Sequence, residues 1–272
     1  MISGVFFMRI ELYRQGISAE KFQPYLDIFP VTGASDALGG VLVIPGGGYK
    51  VRGDYEGNAV AEKFNALGFH AFVLNYRVAP ERYPAPQCDL VRAIKILRAN
   101  SAQLRLSKLA VLGFSAGAHL AASGTMTELP ADGANMVMQG DEADAFTAGA
   151  DALILCYPVI SLTDEFAHFG SGEALFGEDS TLEKRSELNM QKYVTSATPP
   201  AFLWHTADDD AVSVRNSLEF AQKMWACGNL CELHVFPHGH QGRGLGLGHK
   251  DLKQWPELAA NFLETTANFL RG

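Results

Sequence analysis

Cysteine is scarce in this chain, and no two cysteines are spaced as C-x-x-C. The 272 residues contain four: Cys88, Cys156, Cys227 and Cys231. So few cysteines in so long a chain exclude a disulfide-stabilised scaffold, and the missing C-x-x-C pair excludes a thioredoxin-like redox motif. We therefore interpret all four as reduced residues of a folded core.

Long hydrophobic runs and basic blocks are also missing. No apolar run approaches the ~20 residues that a membrane-spanning helix needs. The N-terminal stretch "GVFFM" is too short for the apolar part of a signal peptide, and no positive charge precedes it. The net charge of −8 is not offset by any Lys/Arg cluster, which disfavours nucleic acid as a partner. We expect a cytoplasmic protein with neither a membrane nor a nucleic-acid partner.

What the chain does contain is an alternation of short apolar runs with helical segments. Six β-rich runs are bounded by Gly or Pro: "GGVLVIP", "HAFVLNY", "LAVLGF", "ALILCYP", "AFLWHT" and "CELHVFP". Segments with helical periodicity lie between them. This order predicts a single α/β domain over residues 1–272, with a mostly parallel sheet covered by helices on both faces.

Two stretches interrupt the alternation, residues 128–150 and residues 161–198. We expect both to lie over the carboxyl edge of the sheet, where ligands of such sheets gather. Residues 161–198 directly precede the strand "AFLWHT" and an acidic cluster. They are therefore the better candidate for a lid or a wall of an acyl pocket.

The stretch "GFSAG" places Ser115 between the strand "LAVLGF" and a helix-forming run. Small residues two positions before and after a serine allow a tight strand-to-helix turn that exposes the hydroxyl. The Ala116 N–H then lies at the helix N-terminus, where it can bind a developing oxyanion. A G-x-S-x-G match also occurs by chance, but the flanking strand and helix favour a nucleophile elbow.

A run of three glycines, Gly46 to Gly48, follows the strand "VLVI". Consecutive glycines let several backbone N–H groups converge, as an oxyanion hole requires. A flexible loop or a phosphate cradle are the alternatives. A phosphate loop needs a following Gly-Lys-Ser/Thr, which "GGGYKVRGD" does not supply.

Four segments in this order resemble the hormone-sensitive-lipase-like branch of the α/β-hydrolases: "VIPGGGY", "LNYRVAPERYPAP", "VLGFSAGAHLAAS" and "PPAFLWHTADDDAVSVRNS". They are most similar to small acetyl esterases of the acetylxylan-esterase type. The resemblance extends from about residue 39 to the end and is weak over residues 128–150. It implies a Ser-Asp/Glu-His triad in that order and an oxyanion hole made by Gly47, Gly48 and Ala116. Pro45 stands where "HGGG" enzymes have histidine.

The resemblance places the triad acid after the strand "AFLWHT", where three aspartates stand in a row. Relatives have the acid three residues before a valine, which selects Asp209, before Val212. Its role would be to hold the base in the correct tautomer. Asp208 and Asp210 are then expected to belong to a solvated turn.

The triad base is harder to assign, because relatives have it at position 241 and this chain has Gln241. We expect a one-residue shift of the loop to bring the His240 ring over Ser115, with its other nitrogen toward Asp209 and with Gln241 pointing elsewhere. His249 ranks below His240, and a site without a competent base is a third alternative. A metal site built from His205, His238, His240 and His249 fits no recurrent ligand spacing.

These residues predict a serine esterase that needs no cofactor or metal. The resemblance to acetyl esterases implies that its substrates are short acyl esters, in particular acetyl esters of a sugar. Two alternatives stay open. The same triad could cleave an amide or peptide, because a fold does not fix the leaving group. An inactive ligand-binding protein on this scaffold is the other. Gln241 favours it, whereas the serine, the triple glycine and the acid weigh against it. The sequence does not specify an oligomeric state.

Overall fold

A computed structural model describes residues 8–14, 22–33 and 36–272. Most of the stretch "GVFFM" lies outside these ranges. Eight strands form one sheet in the order β1-β2-β4-β3-β5-β6-β7-β8. The β1–β2 and β2–β4 pairs are antiparallel, and every other pair is parallel. The strands are β1 (Met8–Glu11), β2 (Tyr25–Phe29), β3 (Leu38–Ile44), β4 (His70–Asn75), β5 (Leu106–Phe114), β6 (Ala152–Cys156), β7 (Ala201–Thr206) and β8 (Cys231–Phe236).

Helices cover both faces of the sheet. They are α1 (Asn58–Ala66), α2 (Ala85–Ala99), α3 (Ser101–Leu104), α4 (Ala116–Met126), α5 (Ala131–Val137), α6 (Phe169–Phe176), α7 (Leu182–Ser186), α8 (Arg215–Ala226) and α9 (Trp255–Thr265). Alternate residues of β3 enter different cores: Leu42 packs with α2, α4 and α8, and Val43 packs with α1 and α9. A strand buried on both faces must be apolar throughout, which explains its continuous hydrophobic run.

All six predicted strands and the alternating helices are present, but the sequence did not indicate β2. Asp27 interrupts its apolar pattern in "YLDIF". The carboxylate is only 3% exposed and is compensated by Arg9, at 3.0 Å, and by the amide of Asn75. The buried and paired Asp27 therefore interrupts the hydrophobic pattern from which β2 would have been predicted.

The two interrupting stretches lie in different places. Residues 128–150 extend along α2, where Arg92 binds Asp141 and Asp144, and only their middle part reaches the carboxyl edge, where Met136 contacts Arg77 just beyond β4. Residues 161–198 are anchored beside the start of α4, because His119 donates to the Leu188 carbonyl at 2.8 Å. Within the described ranges, no helix is both long enough and apolar enough to cross a bilayer.

Candidate active site

Ser115 occupies the turn between β5 and α4 with φ 52° and ψ −118°. A residue with a side chain rarely adopts a positive φ, and such strain concentrates at functional sites. The flanking glycines allow the turn. A Cβ atom at Gly113 would lie 2.3 Å from the Gly117 carbonyl oxygen, and one at Gly117 would lie 2.4 Å from the Ile44 carbonyl oxygen. The strained strand-to-helix turn expected from the sequence is thus present.

The triple glycine lies directly against this turn. A Cβ atom at Gly46 would approach the Ser115 Cβ to 3.1 Å, and Gly47 and Gly48 have φ values of 124° and 64°. Among the described residues, no backbone acceptor pairs with the N–H groups of Gly47, Gly48 or Ala116. Free amides beside a serine hydroxyl are what stabilisation of an oxyanion requires.

Buried side chains fix the oxyanion loop, residues 45–49, from behind. Tyr76 donates its hydroxyl to the Pro45 carbonyl at 2.8 Å. The Tyr49 hydroxyl lies 2.7 Å from Nδ1 of His119, whose Nε2 donates to the Leu188 carbonyl. Burial lowers the pKa of His119 to about 4, so the ring is neutral and Nδ1 accepts from Tyr49. In the sequence, His119 is only a lone histidine on an apolar helix, which does not indicate this role.

Asp209 has a fully buried side chain just beyond β7. Its Oδ1 accepts the N–H groups of Ala211 and Val212 at 3.0 and 2.8 Å. Its Oδ2 lies 3.3 Å from Nε2 of His205, but that nitrogen is directed to the Val212 carbonyl at 2.8 Å. Oδ2 therefore has no hydrogen bond from the described residues. A buried carboxylate oxygen without a donor is costly, and it marks where an imidazole N–H would fit.

Asp208, in contrast to Asp209, binds the backbone of a neighbouring loop. Its Oδ1 accepts the N–H groups of Gly239 and His240 at 2.9 and 3.0 Å, and Oδ2 lies 3.3 Å from the His238 ring. The hydrogen bond from the His240 N–H is the main cause that lowers the pKa of Asp208 to about 2. Asp208 thus anchors the loop over residues 238–240.

The structure reverses the expected positions of His240 and Gln241. Gln241 Nε2 donates to Ser115 Oγ at 2.7 Å. His240 is exposed, has φ 57°, and directs Nδ1 to the Asp208 carbonyl at 3.1 Å. The expectation that the His240 ring lies over Ser115 was wrong. Its backbone is tied to Asp208, which turns side chain 240 outward and side chain 241 inward.

The expected one-residue shift of the loop is also absent. A Cβ atom at Gly239 would lie 2.7 Å from side-chain atoms of Leu252 and Thr206, and one at Gly242 would lie 2.9 Å from the Tyr55 hydroxyl. These glycines are needed for close packing, so they do not let the loop shift by one residue. Position 241 keeps the place that the resemblance assigns to the base.

An amide cannot replace imidazole in that place. Glutamine does not accept a proton at neutral pH, whichever end of its amide faces Ser115. Its Oε1 is buried and has no hydrogen bond from the described residues. Ser115 and Asp209 therefore occupy the positions expected of a nucleophile and an acid, with no base between them at position 241.

His168, which the sequence analysis did not select, lies close to this site on the segment 161–198. Its Nδ1 accepts the Ser171 N–H at 3.2 Å, so the neutral ring carries its proton on Nε2. Burial and Lys50 lower its pKa, and Asp209 opposes them. His168 thus lies near the oxyanion loop, because its Nδ1 is 2.8 Å from the Ser171 Oγ, which would lie 4.0 Å from a Cβ atom at Gly48. No three His, Cys, Asp or Glu side chains of the described chain are grouped so as to hold a metal ion.

Comparisons with known proteins identify a family and several relatives of this chain. The profile of a family described as BD-FAE matches residues 26–224. Endo-1,4-beta-xylanase B of Butyrivibrio fibrisolvens is 33% identical over 208 residues, which are 74% of this chain and 32% of that protein. Acetylxylan esterase of Xylanibacter ruminicola is 28% identical over 232 residues, 83% of this chain and 45% of that protein. The chain thus spans less than half the length of these curated relatives.

A solved structure matches over nearly the full length of both chains. It is the acetyl ester-xyloside bifunctional hydrolase from Caldicellulosiruptor lactoaceticus, which is 39% identical and superimposes with a TM-score of 0.86. The match covers 96% of this chain and 97% of that one.

Proposed function

Because the chain belongs to the BD-FAE family and has the α/β-hydrolase fold, we propose that it is a serine carboxylesterase for short acyl esters, in particular acetyl esters of carbohydrates. One observation carries the proposal. Ser115 sits on a strained turn beside the unpaired N–H groups of Gly47, Gly48 and Ala116. This arrangement fits a tetrahedral acyl-transfer intermediate.

In the proposed reaction, Ser115 Oγ forms a bond to the ester carbonyl carbon, and the carbonyl oxygen becomes an oxyanion held by Gly47, Gly48 and Ala116. The C–O bond to the alcohol then breaks, the departing alkoxide takes a proton from water, and an acyl-serine remains. Water attacks this ester by the same route and releases the acid. No cofactor or metal takes part in this scheme.

Removal of the Ser115 hydroxyl proton limits the rate of the proposed reaction, because position 241 supplies no base. In a complete triad, a histidine takes this proton and later gives it to the leaving alcohol, and Asp209 would hold that histidine. Since Gln241 cannot, we propose that the proton passes to water or hydroxide, which makes acylation slow. Oxyanion and binding effects alone still leave roughly 10³–10⁴-fold catalysis over the reaction in water.

The proposed substrate class rests on the relatives, whose names include an acetylxylan esterase and an acetyl ester-xyloside hydrolase. We propose residues 161–198 as a wall of the acyl pocket, within one domain over 1–272. The partner is a small-molecule ester, and the net charge of −8 disfavours nucleic acid. A cytoplasmic location remains our proposal.

Gln241 favours a second candidate function, binding of the ester without turnover. Its hydrogen bond to Ser115 Oγ makes the serine oxygen an acceptor and supplies no base. On this hypothesis, the family pocket is retained as a recognition site for acylated carbohydrate.

One experiment separates the two candidates. Wild-type and Ser115→Ala proteins are assayed on p-nitrophenyl acetate, propionate and octanoate and on acetylated xylo-oligosaccharides, with binding of the oligosaccharides measured by calorimetry. A slow esterase releases acetate only while Ser115 is present and prefers acetyl or propionyl over octanoyl. Binding without any Ser115-dependent release identifies a recognition protein instead. A rate that climbs steadily with chain length contradicts the acetyl preference.

A further inference from the structure

Glu56 is a buried carboxylate that none of the proposed chemistry uses. It follows the oxyanion loop in the chain, and only 2% of its surface is exposed. Its Oε2 accepts the Gly46 N–H at 2.8 Å, and its Oε1 accepts the Tyr157 hydroxyl at 2.5 Å. One carboxylate thus binds the oxyanion loop with one oxygen and a tyrosine beyond β6 with the other.

Tyr157 continues this connection to the loop that carries Gln241. Its hydroxyl oxygen accepts the Gly244 N–H at 3.0 Å, and the Gly244 carbonyl in turn accepts from the Trp255 indole N–H at 2.9 Å. Tyr157 has φ 36°, and its N–H donates to the Trp204 carbonyl at 2.6 Å. Tyr157 is strained and hydrogen-bonded on several sides, so it has few alternative conformations. It therefore fixes the position of Gly244 relative to Glu56.

The same loop packs against the turn that holds Glu56. A Cβ atom at Gly242 would lie 2.9 Å from the Tyr55 hydroxyl, and one at Gly244 would lie 3.0 Å from the Tyr55 carbonyl oxygen. The backbone three residues after Gln241 is therefore fixed from two directions.

We propose that Glu56 is a positioning residue that sets the oxyanion loop and the loop of residues 241–244 relative to each other, through Gly46 on one side and Tyr157 with Gly244 on the other. The proposal rests on the proposed esterase function where it concerns catalysis. The side chain acts through these backbone groups and does not touch the ester.

Glu56 is also the group of this cluster that titrates in the acid range. Burial raises its pKa, although the hydrogen bonds from Tyr157 and Gly46 oppose this. The titratable groups around it are Tyr55, Tyr76, Tyr157 and Cys156, and burial raises the pKa of each of them, so all stay neutral below pH 8. Gly46 and Gly244 should therefore share one transition, that of Glu56.

The test uses the whole protein labelled with ¹⁵N-glycine and three variants: Glu56→Gln, Tyr157→Phe and the control Tyr13→Phe. Tyr13 is also a buried tyrosine that donates to a carboxylate, Asp89 at 2.9 Å, on another part of the fold. Amide shifts of Gly46 and Gly244 are followed from pH 4 to pH 8. They should share one midpoint above the ordinary glutamate value, and the transition should vanish in Glu56→Gln.

Tyr157→Phe should leave the Gly46 titration in place and abolish that of Gly244, while Tyr13→Phe changes neither. The absence of a shared midpoint, or a Gly244 transition at the Gly46 midpoint that survives in Tyr157→Phe, would overturn the proposal. This readout does not depend on turnover, so it decides the proposal even if the protein proves to be no esterase.

Steady-state kinetics measure how the loss of the Glu56 carboxylate affects catalysis. In a Gln241→His background, Glu56→Gln should lower kcat roughly tenfold and leave KM nearly unchanged. The loss is smaller than the ~10²–10³-fold loss of kcat that removal of a whole oxyanion donor causes, because the donors are displaced and not removed. An equal change in KM, or a drop in kcat matched by Tyr13→Phe, would show a merely structural role. If the Gln241→His enzyme itself hydrolyses no ester, the proposed function fails, and the amide titration still stands as the test of Glu56.

Discussion

The two halves of the candidate site are built in different ways. The nucleophile region depends on the backbone conformation of Gly48 and Ser115 and on contacts that leave no space for a Cβ atom at Gly46, Gly113 and Gly117. The base region depends on one side chain, at position 241, held near Ser115 by a loop anchored on Asp208. Backbone geometry persists because the fold requires it, whereas a single side chain can change while the fold remains.

The local contacts explain why the base position tolerates glutamine. Gln241 is half-buried and hydrogen-bonds to Ser115, so it fills the space of an imidazole without breaking a backbone contact. A Cβ atom at Gly117, in contrast, would collide with the Ile44 carbonyl and force strand and helix apart. Loss of the base therefore has a small effect on stability and a large one on chemistry.

The largest effect should come from the nucleophile once a base is supplied. In a Gln241→His background, adding Ser115→Ala should lower kcat by up to ~10⁶, as loss of a triad serine does. Hydrolysis of p-nitrophenyl acetate measures it, with Ser101→Ala on α3 as a control serine outside the site. A double variant that keeps a few per cent of the Gln241→His rate would remove Ser115 from the reaction.

The acid should matter only when a histidine is present. Asp209→Asn should cut kcat by up to ~10⁴ in the Gln241→His background, because Oδ2 would no longer hold the imidazole tautomer. In the wild type the same change should have a far smaller effect, since the acid acts only through the base. Asp208→Asn is the matched control and keeps an acceptor for the loop. Equal losses from Asp209→Asn in both backgrounds would mean that Asp209 acts only on structure.

The pH profiles should differ between wild type and Gln241→His. Without a titrating base, the wild-type rate should rise about tenfold per pH unit between pH 6 and pH 9, as hydroxide takes the serine proton. In Gln241→His, the rate should level off above the ordinary histidine pKa of about 6.5. A wild-type plateau near neutrality would reveal another base, and His168 would be the first residue to test.

The smallest effect should come from His240. Its ring is exposed and hydrogen-bonded to the Asp208 carbonyl, so it does not reach the substrate. His240→Ala should therefore change the wild-type rate by no more than about twofold, as expected for a surface residue. Steady-state kinetics on p-nitrophenyl acetate measure it, with His249→Ala alongside. A tenfold loss confined to His240→Ala would make His240 the base, against the geometry of the loop.

The sequence predicted most of the fold and the nucleophile half of the site because both follow from local rules. Apolar runs predicted the parallel strands, and "GFSAG" predicted the turn at Ser115. The orientation of residues 240 and 241 could not be predicted, because it depends on Asp208, some 30 residues away in the chain. The roles of Glu56 and His119 were not predicted either, because only tertiary contacts bring these side chains behind the oxyanion loop.

We propose that position 241 is the place of the base and that the glutamine there limits turnover. The most direct test is kcat/KM of Gln241→His on p-nitrophenyl acetate at pH 7.5, with the wild type and Gln241→Asn measured beside it. Gln241→His should raise kcat/KM by roughly 10²–10⁴, the usual contribution of a general base, and Gln241→Asn should give no gain. An unchanged rate in a folded Gln241→His protein whose Ser115 still reacts with a phosphonate would contradict it.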